Sequence, residues 1–177
     1  SVGYDLYCKL LEEAIHEVSD DKVEERFETS VELNVDAFIP STYIKDEIRK
    51  LGAYKKIASI EDEKDYYDVQ EELEDRYGDL PKSVVNLLDI AIMKAVANKA
   101  DIVNIEQKGE NIKFEARKDA RINPDKIPEL LNKYRNQLFF TINKAPYFTY
   151  KISRVDKKQF FRHIKNVLQD IKDLKDS

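Results

Sequence analysis

Glycine, cysteine and methionine are scarce in this chain, and tryptophan is absent. The four glycines (Gly3, Gly52, Gly78 and Gly109) stand apart from one another, so no run of backbone N–H groups can cradle a phosphate and no nucleotide-binding loop can be drawn. Cys8, the one cysteine, allows neither an internal disulfide nor a cysteine-based zinc site, which suits a reducing, cytoplasmic setting. No long apolar run exists, so a membrane span is not expected, and acids interrupt the N-terminal stretch where a signal peptide would need an unbroken apolar segment. The sole methionine is Met93, and the chain reads as a fragment of a larger protein.

Chemistry-bearing constellations are also missing. His16 and His163 have no histidine four residues away and no cysteine nearby, so a zinc site lacks its ligands. Asp62, Lys64 and Asp68 do not reproduce the alternating oxygen ligands and central glycine of a calcium loop. No nucleophile elbow occurs. These readings point to a domain with no catalysis, cofactor or metal of its own.

What the chain does have is charge, unevenly distributed. Of its 177 residues, 37% are charged and 42% hydrophobic, with a net charge of -5. Between residues 61 and 79 ten acids face only Lys64 and Arg76, a local -8, so the remainder carries +3. Residues 144–177 hold nine bases against four acids, a local +5.

Periodicity organises the same sequence. Tyr4, Tyr7, Leu11, Ala14, Ile15 and Val18 predict a first helix over about residues 2–18. Val31, Leu33 and Val35 alternate with polar residues as a short strand does. A helix capped by Ser41 or Thr42 follows, carried by Ile44, Ile48, Leu51 and Ile57. Tyr66, Val69, Leu73 and Tyr77 mark another, with Gly78 where an αL C-cap belongs. Val84, Leu87, Leu88, Ala91, Ile92, Ala95 and Val96 give the next a wide apolar face central to the core. Ile102 to Phe114 reads as a hairpin around Lys108–Asn111, followed by a helix near Pro124–Tyr134, strands at Leu138–Ile142 and Tyr147–Ile152, and a closing helix over Val155–Leu174. The expected fold class is α+β: one domain over residues 1–177, with a helical half to about 100 and a small, mainly antiparallel sheet in the half from about 101.

Two segments are candidate interaction surfaces. At about 100° per residue, Asp68, Glu72 and Asp75 fall on one lateral stripe of the acidic helix, continued by Asp79. Like charges at this spacing cost a helix about 0.2–0.5 kcal/mol per pair, a cost that a basic partner offsets. The basic, aromatic C-terminal third (Tyr147, Phe148, Tyr150, Lys151, Arg154, Lys157, Lys158, Phe160, Phe161, Arg162) offers the alternative of a protein- or nucleic-acid-binding module. The acidity of the whole chain and the core-like spacing of those aromatics argue against nucleic acid as a partner of this domain alone.

Four ordered motifs carry a family resemblance: Gly3-Tyr4-Asp5-Leu6-Tyr7 with Leu10-Leu11-Glu12-Glu13-Ala14; Ala37-Phe38-Ile39-Pro40 with Tyr43-Ile44; Tyr54-Lys55-Lys56-Ile57-Ala58; and Glu72-Leu73-Glu74-Asp75-Arg76-Tyr77-Gly78-Asp79-Leu80-Pro81. They resemble the C-terminal domain of bacterial transcription-repair coupling factors over roughly residues 3–105. Departures are Tyr77 where Phe is usual, Lys56 where Arg is usual and Ser41 where an acid is common. The resemblance implies a non-catalytic domain behind an ATP-dependent DNA translocase that displaces stalled RNA polymerase. It further implies docking on a UvrB-like N-terminal module of the same polypeptide, which hides the surface that recruits UvrA. UvrA and RNA polymerase would then be met only through the full-length protein. By the same resemblance Glu72 and Asp75 would contact basic residues of that module, with Asp68 beside them on the stripe.

Overall fold

The computed structural model describes residues 27–152 and 157–175; the helix expected over residues 2–18 lies outside them. Among the described residues, Val35–Ala95 form one compact unit, while Phe27–Asn34 and the residues from Val96 onward form a second.

Three helices build the first unit. Before them, the Pro40 carbonyl accepts hydrogen bonds from the Tyr43 and Ile44 N–H groups at 2.9 and 3.1 Å, so residues 41–43 are used in a turn. Asp46, not Ser41 or Thr42, is therefore the N-cap of α1 (Glu47–Ala58), its carboxylate accepting from the Arg49 N–H at 2.9 Å. This later start changes the buried face: Ala53, Tyr54 and Ile57 point inward with Ile44 before them, whereas Ile48 is 83% exposed and Leu51 38% exposed. Tyr54 is held inward because its hydroxyl oxygen accepts the buried Ile39 N–H at 2.9 Å.

α2 (Glu63–Tyr77) starts at Asp62, which caps the Asp65 N–H at 2.8 Å, and Glu63 and Asp65 meet the positive end of the helix dipole. Val69 and Leu73 are buried as their spacing predicts. Gly78 ends the helix with the expected positive φ of 85°, but its ψ of -167° is extended rather than αL, a region open in practice only to glycine. α3 (Lys82–Lys99) begins against Pro81, whose carbonyl accepts from Val84 and Val85. It is the most deeply buried helix of this unit: Val84, Leu87 and Leu88 are 0% exposed, while Ala95 and Val96 are half-buried.

The second unit contains a five-stranded sheet in the order β1-β2-β3-β5-β4. β1 (Ser30–Glu32) runs parallel to β2 (Ile102–Lys108), and every other pairing is antiparallel. β3 (Asn111–Ala116) returns from β2 through Gly109, at φ 58°, and Glu110. A 3-10 turn at Pro124–Lys126 leads into α4 (Ile127–Lys133), followed by β4 (Leu138–Thr141) and β5 (Tyr147–Lys151). A second 3-10 turn precedes α5 (Phe160–Lys172). One sheet face is the core, with Val31, Ile105, Ile112, Phe114, Leu138, Phe148 and Tyr150 buried, and α5 buries Ile164, Val167, Leu168 and Ile171 on one stripe. Asp170 of α5 accepts hydrogen bonds from Lys133, at 3.0 Å, and from the Tyr134 hydroxyl, and the Tyr134 ring meets Tyr150 edge-on at 6.0 Å. The architecture is the expected α+β class.

Candidate docking face

The outward side of α2 is acidic because its inward side is fixed. Val69 and Leu73 anchor one stripe, and two tyrosines hold its flanks. The Tyr66 hydroxyl donates to Asp89 Oδ1 at 2.9 Å, and burial with the Asp89 charge pushes that phenol far up. The Tyr43 hydroxyl lies 2.8 Å from the Gly78 carbonyl and 3.2 Å from that of Leu73, with its ring 5.8 Å from that of Tyr77. The helix is thus clamped near both ends, and its acids project from a rigid element.

Asp68, Glu71, Glu72, Asp75 and Arg76 line one open depression, so the stripe drawn from the sequence is a contiguous surface. Its members are not equivalent. Glu72 is bridged by Lys56 Nζ from α1, and Arg76 lies 3.4 Å away on the other side. The Lys56 hydrogen bond lowers the Glu72 carboxyl below its ordinary value; burial opposes it, and the charges of Lys56 and Arg76 add to the lowering. Asp68 pairs with Lys64 at 3.3 Å, one turn back, with both side chains mostly exposed. Asp75 and Glu71 face solvent with no ion pair among the described residues.

The basic partner that offsets the charge of Glu72 is therefore in part the chain's own Lys56, sixteen residues away. Sequence periodicity could not pair two helices, although Lys56 stands in the Tyr-Lys-Lys motif singled out above. The C-terminal aromatic segment is dispersed by the fold. Phe148 and Tyr150 are core, Tyr147 lies under Lys113 at 4.4 Å, Phe160 packs edge-on against Phe161 at 5.4 Å, and Arg154 lies outside the described residues. Among the described residues no cluster of His, Cys, Asp and Glu could hold a metal, and no helix is long and apolar enough to cross a membrane.

Comparison with known proteins agrees with this architecture. The family described as TRCF domain matches residues 33–127, a span that includes α1, α2 and α3. The transcription-repair-coupling factor of Bacillus subtilis is 36% identical over 141 residues, covering 78% of this chain and 12% of that protein. The Rickettsia prowazekii protein of the same name is 33% identical over 158 residues, covering 88% and 14%. The chain thus spans only a small fraction of its relatives' length. A crystal structure of the C-terminal domain of a transcription-repair coupling factor superposes with a TM-score of 0.77 over 87% of this chain and 98% of that one at 23% identity, which establishes a common fold. With more than half of its length matched, the chain belongs to the TRCF domain family.

Proposed function

We propose that this chain is a non-catalytic, autoinhibitory interaction domain of a transcription-repair coupling factor. It docks through the acidic face of α2 on a basic, UvrB-like N-terminal module of the same polypeptide and so masks the surface that recruits UvrA. The observation that carries the reading is the position of Asp68, Glu71 and Asp75: solvent-facing acids on a helix whose other side is clamped by buried Leu73 and by Tyr43 and Tyr66. On a helix held in this way, the carboxylates can meet a basic surface at the cost of their own side-chain rotamers and not of backbone ordering.

A weak contact suffices. A tethered partner experiences an effective concentration in the mM range, so a dissociation constant of about 100 μM keeps the lock closed roughly ten times in eleven and still lets it open. The test is Asp68→Lys with Asp75→Lys in the full-length protein. Both positions lie off the buried stripe, and Glu72 is left intact because it also ties α2 to α1. Reversed charge facing a basic module should open the lock and raise UvrA affinity about tenfold, with the circular dichroism of this domain unchanged. Normal folding with wild-type UvrA affinity would reduce the acidic face to a solvated helix surface.

A further inference from the structure

The hairpin at one edge of the second unit's sheet is built without acids. From Lys133 to Lys151 the sequence holds four cations (Lys133, Arg135, Lys144 and Lys151) and not one Asp or Glu, and this stretch contains β4 and β5. Lys133 is answered by Asp170. Arg135, Lys144 and Lys151 are exposed and make no ion pair among the described residues. β4 is the last strand of the sheet on this side. The Lys151 N–H donates to the Gln137 carbonyl at 2.7 Å, and hydrogen-bonded pairs alternate along an antiparallel ladder. Phe139 and Thr141 therefore bond to β5, while the N–H and C=O groups of Leu138 and Phe140 point away from it and have no partner among the described residues. Apolar surface accompanies this open edge. Phe139 is 41% exposed with Lys151 Nζ 5.0 Å from its ring centre, and Ile142, just past the strand, is 83% exposed.

We infer that the outer edge of β4 is a docking strand for an extended, acidic segment of a partner protein, which adds to the sheet as a further strand. This does not depend on the acidic face of α2, which lies in the other unit. The open N–H and C=O groups of Leu138 and Phe140 supply main-chain hydrogen bonds, and Phe139 gives an apolar side chain of the added strand something to pack on. Charge selects the occupant. Arg135 and Lys151 stand at the start of β4 and Lys144 just beyond its end, whereas the acids of this part of the sheet, Glu110 and Glu115, lie at or on β3 with β5 between them and β4. The second unit as a whole carries +5, from 18 Lys and Arg against 13 Asp and Glu, so an acidic segment is drawn to it. A second copy pairing β4 with β4 would bring the same cations together, which is how lysines protect an edge strand. A single-stranded nucleic acid stacks its bases on free aromatic faces, but Phe139 and Tyr147, the rings on this side of the sheet, each have an ammonium group over them, from Lys151 and Lys113. It would also leave the open backbone groups of β4 unpaired.

The probe is a fluorescent synthetic peptide of about ten residues, with acids at both ends and alternating valine and threonine between them, titrated with the whole 177-residue chain at low salt. Saturable binding is expected. Lys144→Glu with Lys151→Glu should weaken it about tenfold, and Phe139→Thr several-fold. Both variants change exposed side chains, and circular dichroism checks their fold. N-methylation of the peptide's central amides keeps its charge, removes its main-chain donors and should weaken binding about tenfold; because it is measured on the wild-type chain, it tests the edge whatever the variants do. Absence of saturable binding overturns the proposal, as does binding that both the lysine variant and the N-methylated peptide leave unchanged. A single-stranded oligonucleotide of equal charge that binds more tightly than the peptide, and loses affinity in the lysine variant, assigns the patch to nucleic acid instead. Self-association of the chain that Phe139→Thr abolishes assigns it to a second copy, and either result refutes the acidic segment.

Discussion

Replacing Glu72 by lysine sets a third cation between Lys56 and Arg76, and the consequence for stability follows from the surroundings of the site. The native carboxylate is 35% exposed, Lys56 43% and Arg76 62%, so its ion pairs are partly screened and contribute about 0.2–1 kcal/mol. Losing them and adding two like-charge contacts, each about 0.2–0.5 kcal/mol, gives a destabilisation of about 0.6–2 kcal/mol. For a chain of this size that lowers the thermal midpoint by about 5 °C. Asp75→Lys differs although it is the same reversal on the same helix. Asp75 has no ion pair to lose, and a lysine there comes within one turn of Glu71, so stability should change by no more than about 0.5 kcal/mol. Thermal and urea unfolding followed by circular dichroism measure both, together with Lys56→Glu and the double swap Lys56→Glu with Glu72→Lys. The swap re-creates the bridge with its polarity reversed and should recover part of the loss, a coupling that neither single variant shows alone. If Glu72→Lys and Asp75→Lys prove equally stable, or the swap recovers nothing, the Lys56–Glu72 bridge contributes nothing and the two acids are interchangeable after all.

Two further outcomes are expected. Tyr54→Phe leaves the buried Ile39 N–H without its acceptor and should lower stability by about 1–3 kcal/mol, read from the urea midpoint; a neutral result would mean that the N–H finds another partner. The carboxyl of Glu72 is lowered from its ordinary 4.5, chiefly by the Lys56 hydrogen bond, so its contribution is present above that value and is lost as pH falls through the lower folded value. Wild type should therefore lose stability more steeply than Glu72→Gln below about pH 4.5, by a modest amount because the pair is screened; parallel curves would refute the shift.

The fold was legible wherever one element's own residues decide it. Val69 and Leu73 announce the inner face of α2, and Val84, Leu87 and Leu88 that of α3, because a helix buried on one side must repeat its apolar residues at that spacing. Gly109 between two alternating runs marks the β2–β3 turn for the same local reason. Misreadings arise where two local signals compete. Ile44, Ile48, Leu51 and Ile57 have helical spacing, and so do Ala53, Tyr54 and Ile57; the outcome depends on whether the helix starts near Ser41 or at Asp46. The Pro40 turn decides for Asp46, and the Ile39–Tyr54 hydrogen bond then rotates the helix inward on its tyrosine side. The parallel pairing of β1 with β2 joins residues more than seventy positions apart, and nothing in either strand specifies that partner.

The candidate site divides along the same line. Charge counting and helix geometry find Asp68, Glu72 and Asp75 without a structure, because a run of acids on one helix is visible in one dimension. They treat the three as equals, and the fold does not: Lys56 arrives from α1 and bridges Glu72 to that helix, while Asp68, Glu71 and Asp75 are exposed. Salt dependence tests whether these exposed acids act in docking. A contact made by the acids should open progressively as salt screens it, so the difference in UvrA affinity between the wild-type full-length protein and its Asp68→Lys with Asp75→Lys variant should shrink as salt rises. If that difference is the same at low and high salt, the charges of Asp68 and Asp75 do not hold the contact and the acidic face of α2 is a solvated helix surface.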